Sequence, residues 1–184
     1  MKKIEVPLIY ANRIINHGCV ILVTSKYKDK SNIITLAWQM PVSHKPKLVS
    51  IAVHKKHFSH MLITKSKEFI INIPTRTVID AIHFCGSVSG REIDKFRKTG
   101  FTEIEARYLN APLIKECIGH MECRVKKIYA GGDHTIFLGE VLRVVVNEGV
   151  FDGKFLRLDN PRVQTLHHLG ENRYMVSGVV IQAV

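Results

Sequence analysis

The segment Ser31-Asn32-Ile33-Ile34-Thr35-Leu36-Ala37-Trp38-Gln39-Met40-Pro41-Val42-Ser43-His44-Lys45-Pro46 holds the only tryptophan of a 184-residue chain. Asn, Thr and Ser are set among apolar residues, and the segment ends in a Ser-x-x-Pro turn. A flat cofactor with a charged tail asks this of its binding wall: apolar surface with a few fixed polar groups.

Working outward, Gly18 to Ser25 (GCVILVTS) is apolar and β-branched, and Lys26 to Ser31 is a polar turn. With Asn32 to Trp38 as the second strand, the pair predicts a hairpin. Lys47 to His54, opened by Pro46, predicts a third strand. The period then changes: Phe58, Met61, Leu62 and Lys65 suit a short helix, before Glu68 to Ile73 returns to a strand stopped by Pro74. Thr77 to Phe84 reads as a helix with Thr75 or Thr77 as N-cap. Gly86 and Gly90 mark a loop, and Glu92 to Lys98 is a second helix closed by Gly100. Glu116 to Tyr129, the turn Gly131-Gly132-Asp133 and His134 to Val146 form a long hairpin. A short strand is expected near Tyr174 to Val180. The whole predicts one mainly β domain over 1–184, a β-barrel with short helices, its core at about 10–150 and 151–184 as a C-terminal extension.

Composition narrows the function. With 46% hydrophobic and 23% charged residues the chain reads as globular. No apolar run approaches the roughly 20 residues of a membrane helix, so no membrane partner is expected. Met1-Lys2-Lys3 resembles the start of a signal peptide, but Glu5, Pro7, Asn12 and Arg13 interrupt any apolar region, so the expectation is cytoplasmic. The net charge of +11 favours anionic partners. Its cations are scattered without aromatic interleaving or zinc-finger spacing, which favours small nucleotides over nucleic acid. Four cysteines without C-x-x-C spacing are read as free, buried thiols. Cys117-x-x-His120-x-x-Cys123 offers three metal-ligand types, but on a strand His120 points away from both cysteines, so no metal is assigned.

Asn32-x-x-Thr35-x-x-Trp38-x-x-Pro41-Val42-Ser43-x-x-Pro46 resembles the flavin reductase-like, FMN-binding split-barrel family, in its flavoredoxin branch. The likeness continues through Lys67 to Pro74, Cys85-Gly86-x-x-Ser89-Gly90-Arg91-x-x-Asp94-Lys95-Phe96, Gly132 to Val141 and Leu166 to Gly170. The resemblance implies a six-stranded Greek-key split barrel, usually a homodimer, with FMN held non-covalently near the subunit interface; the C-terminal extension would then lie at that interface. It implies electron transfer, either from NADH or NADPH to flavin or onward to a redox protein partner. A flavoredoxin-like carrier with tightly held FMN, and a non-catalytic flavin- or haem-binding module, are the alternatives.

FMN requires donors for its phosphate, an apolar slot for its ring, and access to the hydride-accepting position. Asn32, Thr35, Leu36, Ala37 and Trp38 are candidates for the ring, Trp38 being otherwise a core aromatic. Ser43, Lys56 and Ser59, with Lys55 and Phe58 at the same strand-to-helix junction, are candidates for the phosphate. The lysines would otherwise be solvated charge. The loop holding Cys85, Gly86, Ser89 and Gly90 can approach or close over a flavin, or simply connect two helices. Lys95 would place positive charge beside it. His134 matches a histidine on the nicotinamide side in the family and is the catalytic candidate, with a turn-capping role as the alternative. There is no G-x-G-x-x-G motif, so the choice between NADH and NADPH is not legible.

Overall fold

The apolar run Val20–Val23 does not alternate because the first strand is buried on both faces. In the computed structural model, which describes residues 18–157, 160–178, 181 and 183, β1 (Ile21–Tyr27) pairs antiparallel with β2 (Lys30–Leu36) around a turn at Lys28 and Asp29. Ile21, Val23 and Ile34 point into a core with Ile51, Phe69 and Phe137. Val20, Leu22 and Ile33 point the other way, against Ile82, Cys85 and Phe96. Period-two alternation thus divides one hydrophobic run between two cores.

The remaining strands are β3 (Gln39–Ser43), β4 (Leu48–His54), β5 (Glu68–Ile73), the two-residue β6 (Glu103–Ile104) and β7 (Leu113–Ile114), β8 (Gly119–Gly131), β9 (His134–Val146), β10 (Leu166–Gly170) and β11 (Arg173–Val176). Helices are α1 (Phe58–Ser66), α2 (Ile79–Ser87), entered through a 3-10 turn at Arg76–Val78, and α3 (Lys95–Thr99). Seven strands form one sheet in the order β2-β1-β5-β8-β9-β4-β3. Its two edge strands are consecutive in sequence, separated by only Ala37 and Trp38. A flat sheet would hold its edges six strand spacings apart, near 28 Å at about 4.7 Å each, so this short link requires the sheet to curl. Register shifts in β8–β9 between Glu122 and Cys123 and between Val125 and Lys127 add bend. The result is an open barrel, with α2 and α3 on its outer face.

Several expectations change in detail. The seventh strand, β3, was not foreseen: it is an exposed edge containing Pro41, and such edges carry little apolar signal. Gly86 lies inside α2 rather than in a loop. The Thr75 and Thr77 hydroxyls bond each other (2.7 Å) and cap nothing. The second helix begins at Lys95 instead of Glu92, because the Asp94 carboxylate accepts from Arg97 N–H (3.1 Å). The long hairpin begins at Gly119, not Glu116. In the tail, β11 ends at Val176 and pairs with an unforeseen β10; Val179 and Val180 lie outside the described residues, as do residues 10–17 of the expected core and the basic start at Met1. All four cysteines are free.

A buried polar knot joins four strands. Asn72 donates to Leu22 C=O (3.1 Å) and the Thr24 hydroxyl (3.2 Å), and its Oδ1 accepts from Ile114 N–H (3.0 Å) and His120 Nδ1 (2.9 Å). That acceptor fixes His120 as the Nδ1–H form. Burial, aided by the Arg143 charge, lowers its pKa to about 4. The unfolded chain takes up this proton near pH 6.5 and the folded one only near 4. His120 therefore costs the fold stability as pH falls through that window, up to about 3 kcal/mol. Urea titrations from pH 7 to 4 should show a steeper loss for the wild type than for His120→Gln; parallel curves would exclude this coupling.

Gly139 faces the inner core, where an added Cβ would sit 2.6 Å from Phe69 Cζ and 3.2 Å from Cys123 Cβ. Phe69 is fully buried, so Gly139→Ala should cost about 1–3 kcal/mol by overpacking. Thermal unfolding reads this as a drop of several degrees, and an unchanged midpoint would show that Phe69 can yield.

Candidate functional site

β2 is paired on one side only, and its free edge organises the site. Tyr27 and Lys30 flank a two-residue turn as a hydrogen-bonded pair, so Ser31, Ile33 and Thr35 turn their N–H and C=O groups away from β1. Ile33 C=O is taken by Lys95 Nζ (2.8 Å). The main-chain groups of Thr35 face a groove that runs along this edge. Its side-chain hydroxyl is spent on Ile82 C=O (2.6 Å), which ties β2 to α2.

One end of the groove is a depression of about 220 Å³ between β2, the start of α1 and the α2–α3 connection. Lys56, His57 and Lys95 line it with Asn32, Ser87 and Ser89, and no carboxylate does. Lys95 is only 4% exposed, and among the described residues its Nζ is bonded to two carbonyls, Ile33 and Cys85 (2.6 Å). An ammonium has three N–H donors, so one remains for a ligand. Burial holds its pKa below that of an ordinary lysine. His57 is likewise lowered, by burial and then by the charges of His54, His134, Lys95 and Arg91. Such a lining suits an anion.

The other end is a depression of about 290 Å³ that shares His57 with the first. Its lining includes Thr35, Leu36, Ala37 and Trp38 on one side and His54 and His134 on the other, with His168 and Glu171 from β10 and the turn after it. The Trp38 and His134 rings meet at 4.8 Å, and Trp38 is 42% exposed. Asp133 Oδ1 accepts from His134 Nδ1 (2.7 Å), orienting the imidazole, and hydrogen bonding and charge from that histidine lower the Asp133 pKa. Lys55 donates to Gly132 C=O (2.6 Å) and steadies the turn that carries both.

The sequence-derived candidates divide accordingly. Asn32, Lys56, Phe58, Cys85, Gly86, Ser89, Gly90 and Lys95 meet at the cationic end, and Thr35 to Trp38 meet His134 at the aromatic end. Trp38 is thus a groove wall and not a core residue. Ser59 is fully buried and accepts from Asn32 Nδ2 (2.8 Å); it holds Asn32 in place and lines neither end. Lys55 serves the β8–β9 turn instead of the anion end. Ser43 pairs with Leu48 at the end of β3 and lines neither depression. The Cys85 thiol, raised to about 11 by burial, is no nucleophile. Sequence reasoning missed His54 and His57, which flank the two lysines it singled out and whose spacing carries no motif.

The sequence model described as "Flavin reductase like domain" matches residues 13–167. The chain belongs to the flavin reductase-like family. Within it, the chain is 34% identical to YddH of Escherichia coli K12, over 98% of this chain and 97% of that protein. It is also 34% identical to the NADH-dependent FAD reductase of Streptomyces globisporus, over 63% of this chain and 66% of the relative. The flavoredoxin of Methanosarcina acetivorans superposes with a TM-score of 0.87 at 26% identity, covering 100% of this chain and 95% of that one. The flavin reductase-like fold inferred from the five blocks between Asn32 and Gly170 is therefore correct. No helix among the described residues is long and apolar enough to cross a membrane.

Gly90 is the tightest point of the cationic end, since a Cβ there would collide with the Asn32 carboxamide. Gly90→Ala should push Asn32 from Ser59 and weaken anion binding at least tenfold while leaving the fold intact. Isothermal titration with FMN, alongside circular dichroism, reads both, and unaltered affinity would show that Asn32 is not part of the site.

Proposed function

We propose that the groove binds FMN, with its phosphate at the Asn32–Gly90–Lys95 end and its ring at the Trp38–His134 end, and that the protein reduces it with NADH or NADPH. The observation that carries this reading is one groove with two chemically opposite ends joined along a free strand edge. A carboxylate-free end with a spare lysine donor suits a dianionic phosphate. An aromatic end suits a flat ring. When bound, flavin supplies the hydride-accepting chemistry.

The residues then do the following. Thr35 main-chain groups would bond the pyrimidine edge of the ring, Trp38 would wall it, and Lys95 would donate to the phosphate. His134, held by Asp133, stands where a nicotinamide would approach. A second reading is a flavoredoxin-like carrier that receives electrons from a protein donor. The exposed Trp38, Met40 and Val42 beside the aromatic end favour it, offering apolar surface to a partner or to the second subunit of a homodimer.

Purified protein should show flavin absorbance bands after FMN addition, and anaerobic NADH or NADPH should bleach them. Lys95→Met should raise the FMN Kd at least tenfold. His134→Ala should slow bleaching at least tenfold when measured at saturating FMN. Bands that resist both nucleotides would favour the carrier, and failure to bind FMN would overturn the proposal.

A further inference from the structure

His54 and His134 are the last residue of β4 and the first of β9, and they stand directly opposite each other in the ladder. Cross-strand partners share a face, so both imidazoles reach the aromatic end of the groove, their rings 5.0 Å apart and edge-on. One carboxylate serves both: Asp133 Oδ1 accepts from His134 Nδ1 (2.7 Å), and Oδ2 lies 3.7 Å from His54 Nε2. Lys56 N–H donates to His54 Nδ1 (3.0 Å), so the proton of the neutral His54 ring sits on Nε2, the atom that faces Asp133. Lys55 ties the same turn down twice, its N–H to Asp133 C=O (3.0 Å) and its Nζ to Gly132 C=O (2.6 Å). The Asp133 side chain is 74% exposed, so these neighbours, and not packing, set its orientation.

Resting on the reading above that a nicotinamide approaches His134, we infer that His54 is a positioning residue: through Asp133 it keeps His134 in the Nδ1–H form, whose bare Nε2 selects a hydride donor carrying an N–H group, the carboxamide of a reduced nicotinamide. Among the described residues nothing bonds His134 Nε2. Such an acceptor is satisfied by a donor on the ligand and left unpaired by an analogue that lacks one, which is how polar sites discriminate between close analogues. The Glu171 carboxylate belongs to the same lining and makes the place poorer still for a ligand carboxylate, so the amide is the group that fits. His54 itself touches neither flavin phosphate nor hydride in this account; it acts by holding the carboxylate that holds His134.

Two measurements test this on the wild type, on His54→Phe, which keeps a ring without nitrogens, and on His54→Gln, which restores an N–H donor. Two-bond 1H–15N correlations at pH 8 should show His134 as the Nδ1–H form in the wild type and His54→Gln, and as mixed tautomers in His54→Phe; this arm needs no flavin. At saturating FMN, the wild type should prefer the reduced dinucleotide over its 3-acetylpyridine counterpart, in which a methyl replaces the amide nitrogen. His54→Phe should lose at least tenfold of that preference in kcat/KM, and His54→Gln should recover it; intrinsic differences between the two donors cancel between variants. His134 in any other form in the wild type, a preference that His54→Phe leaves within twofold, or a loss that His54→Gln does not recover would overturn the inference and leave the flavin reading standing. Bound flavin that neither NADH nor NADPH bleaches would overturn the donor reading and the selection built on it, with the tautomer still deciding what His54 does.

Discussion

Two residues, Ala37 and Trp38, join the opposite edges of a seven-stranded sheet. That covalent constraint makes the barrel, because the edges cannot be so linked unless the sheet curls. The link is fixed by a bond from Ala52 N–H to Trp38 C=O (3.0 Å), which brings the chain leaving β2 against β4. Curling also leaves β2 with a free main-chain edge, which an aggregation-resistant protein must cover. Lys95 covers part of it, α2 packs beside it through Thr35, and the remainder forms the groove floor. Fold and site therefore share a cause.

Charge is unevenly placed along that groove. The chain carries a formal +11, but surface lysines in water contribute little to discrimination. Lys95 differs because it is buried and, among the described residues, oriented by two carbonyls. Buried carboxylates elsewhere are satisfied: Glu122 meets Arg143 (3.0 Å) and two main-chain N–H groups, and Glu68 accepts from Asn110 and Ala111. Acidic groups are thus committed to the scaffold while the anion end keeps cations. This local asymmetry, more than net charge, gives the groove its direction.

The fold was largely legible because strong local signals coincide with strong constraints. GCVILVTS followed by a polar turn marks a hairpin with the strand that comes next, and Gly131-Gly132-Asp133 marks a second turn. β3 escaped because it is exposed, and β6 and β7 because two-residue strands have no period. At the site, side chains with distinctive neighbours were found: Asn32, Trp38, Lys95 and His134. Ser43 and Ser59 show the limit. A hydroxyl beside a turn and a hydroxyl at a helix start look alike in sequence, and only packing reveals that one pairs along an edge while the other anchors Asn32. His54 and His57 were invisible because their role comes from the convergence of β4, α1 and β9.

A crystal structure of the protein with FMN tests the central claim most directly. The account requires the phosphate within hydrogen-bond distance of Lys95 Nζ, the ring against Trp38 and His134, and its pyrimidine edge at the Thr35 main chain. A flavin seated instead in the roughly 480 Å³ depression between α2 and α3, beside Phe84 and Phe101, or reversed along β2, would contradict it.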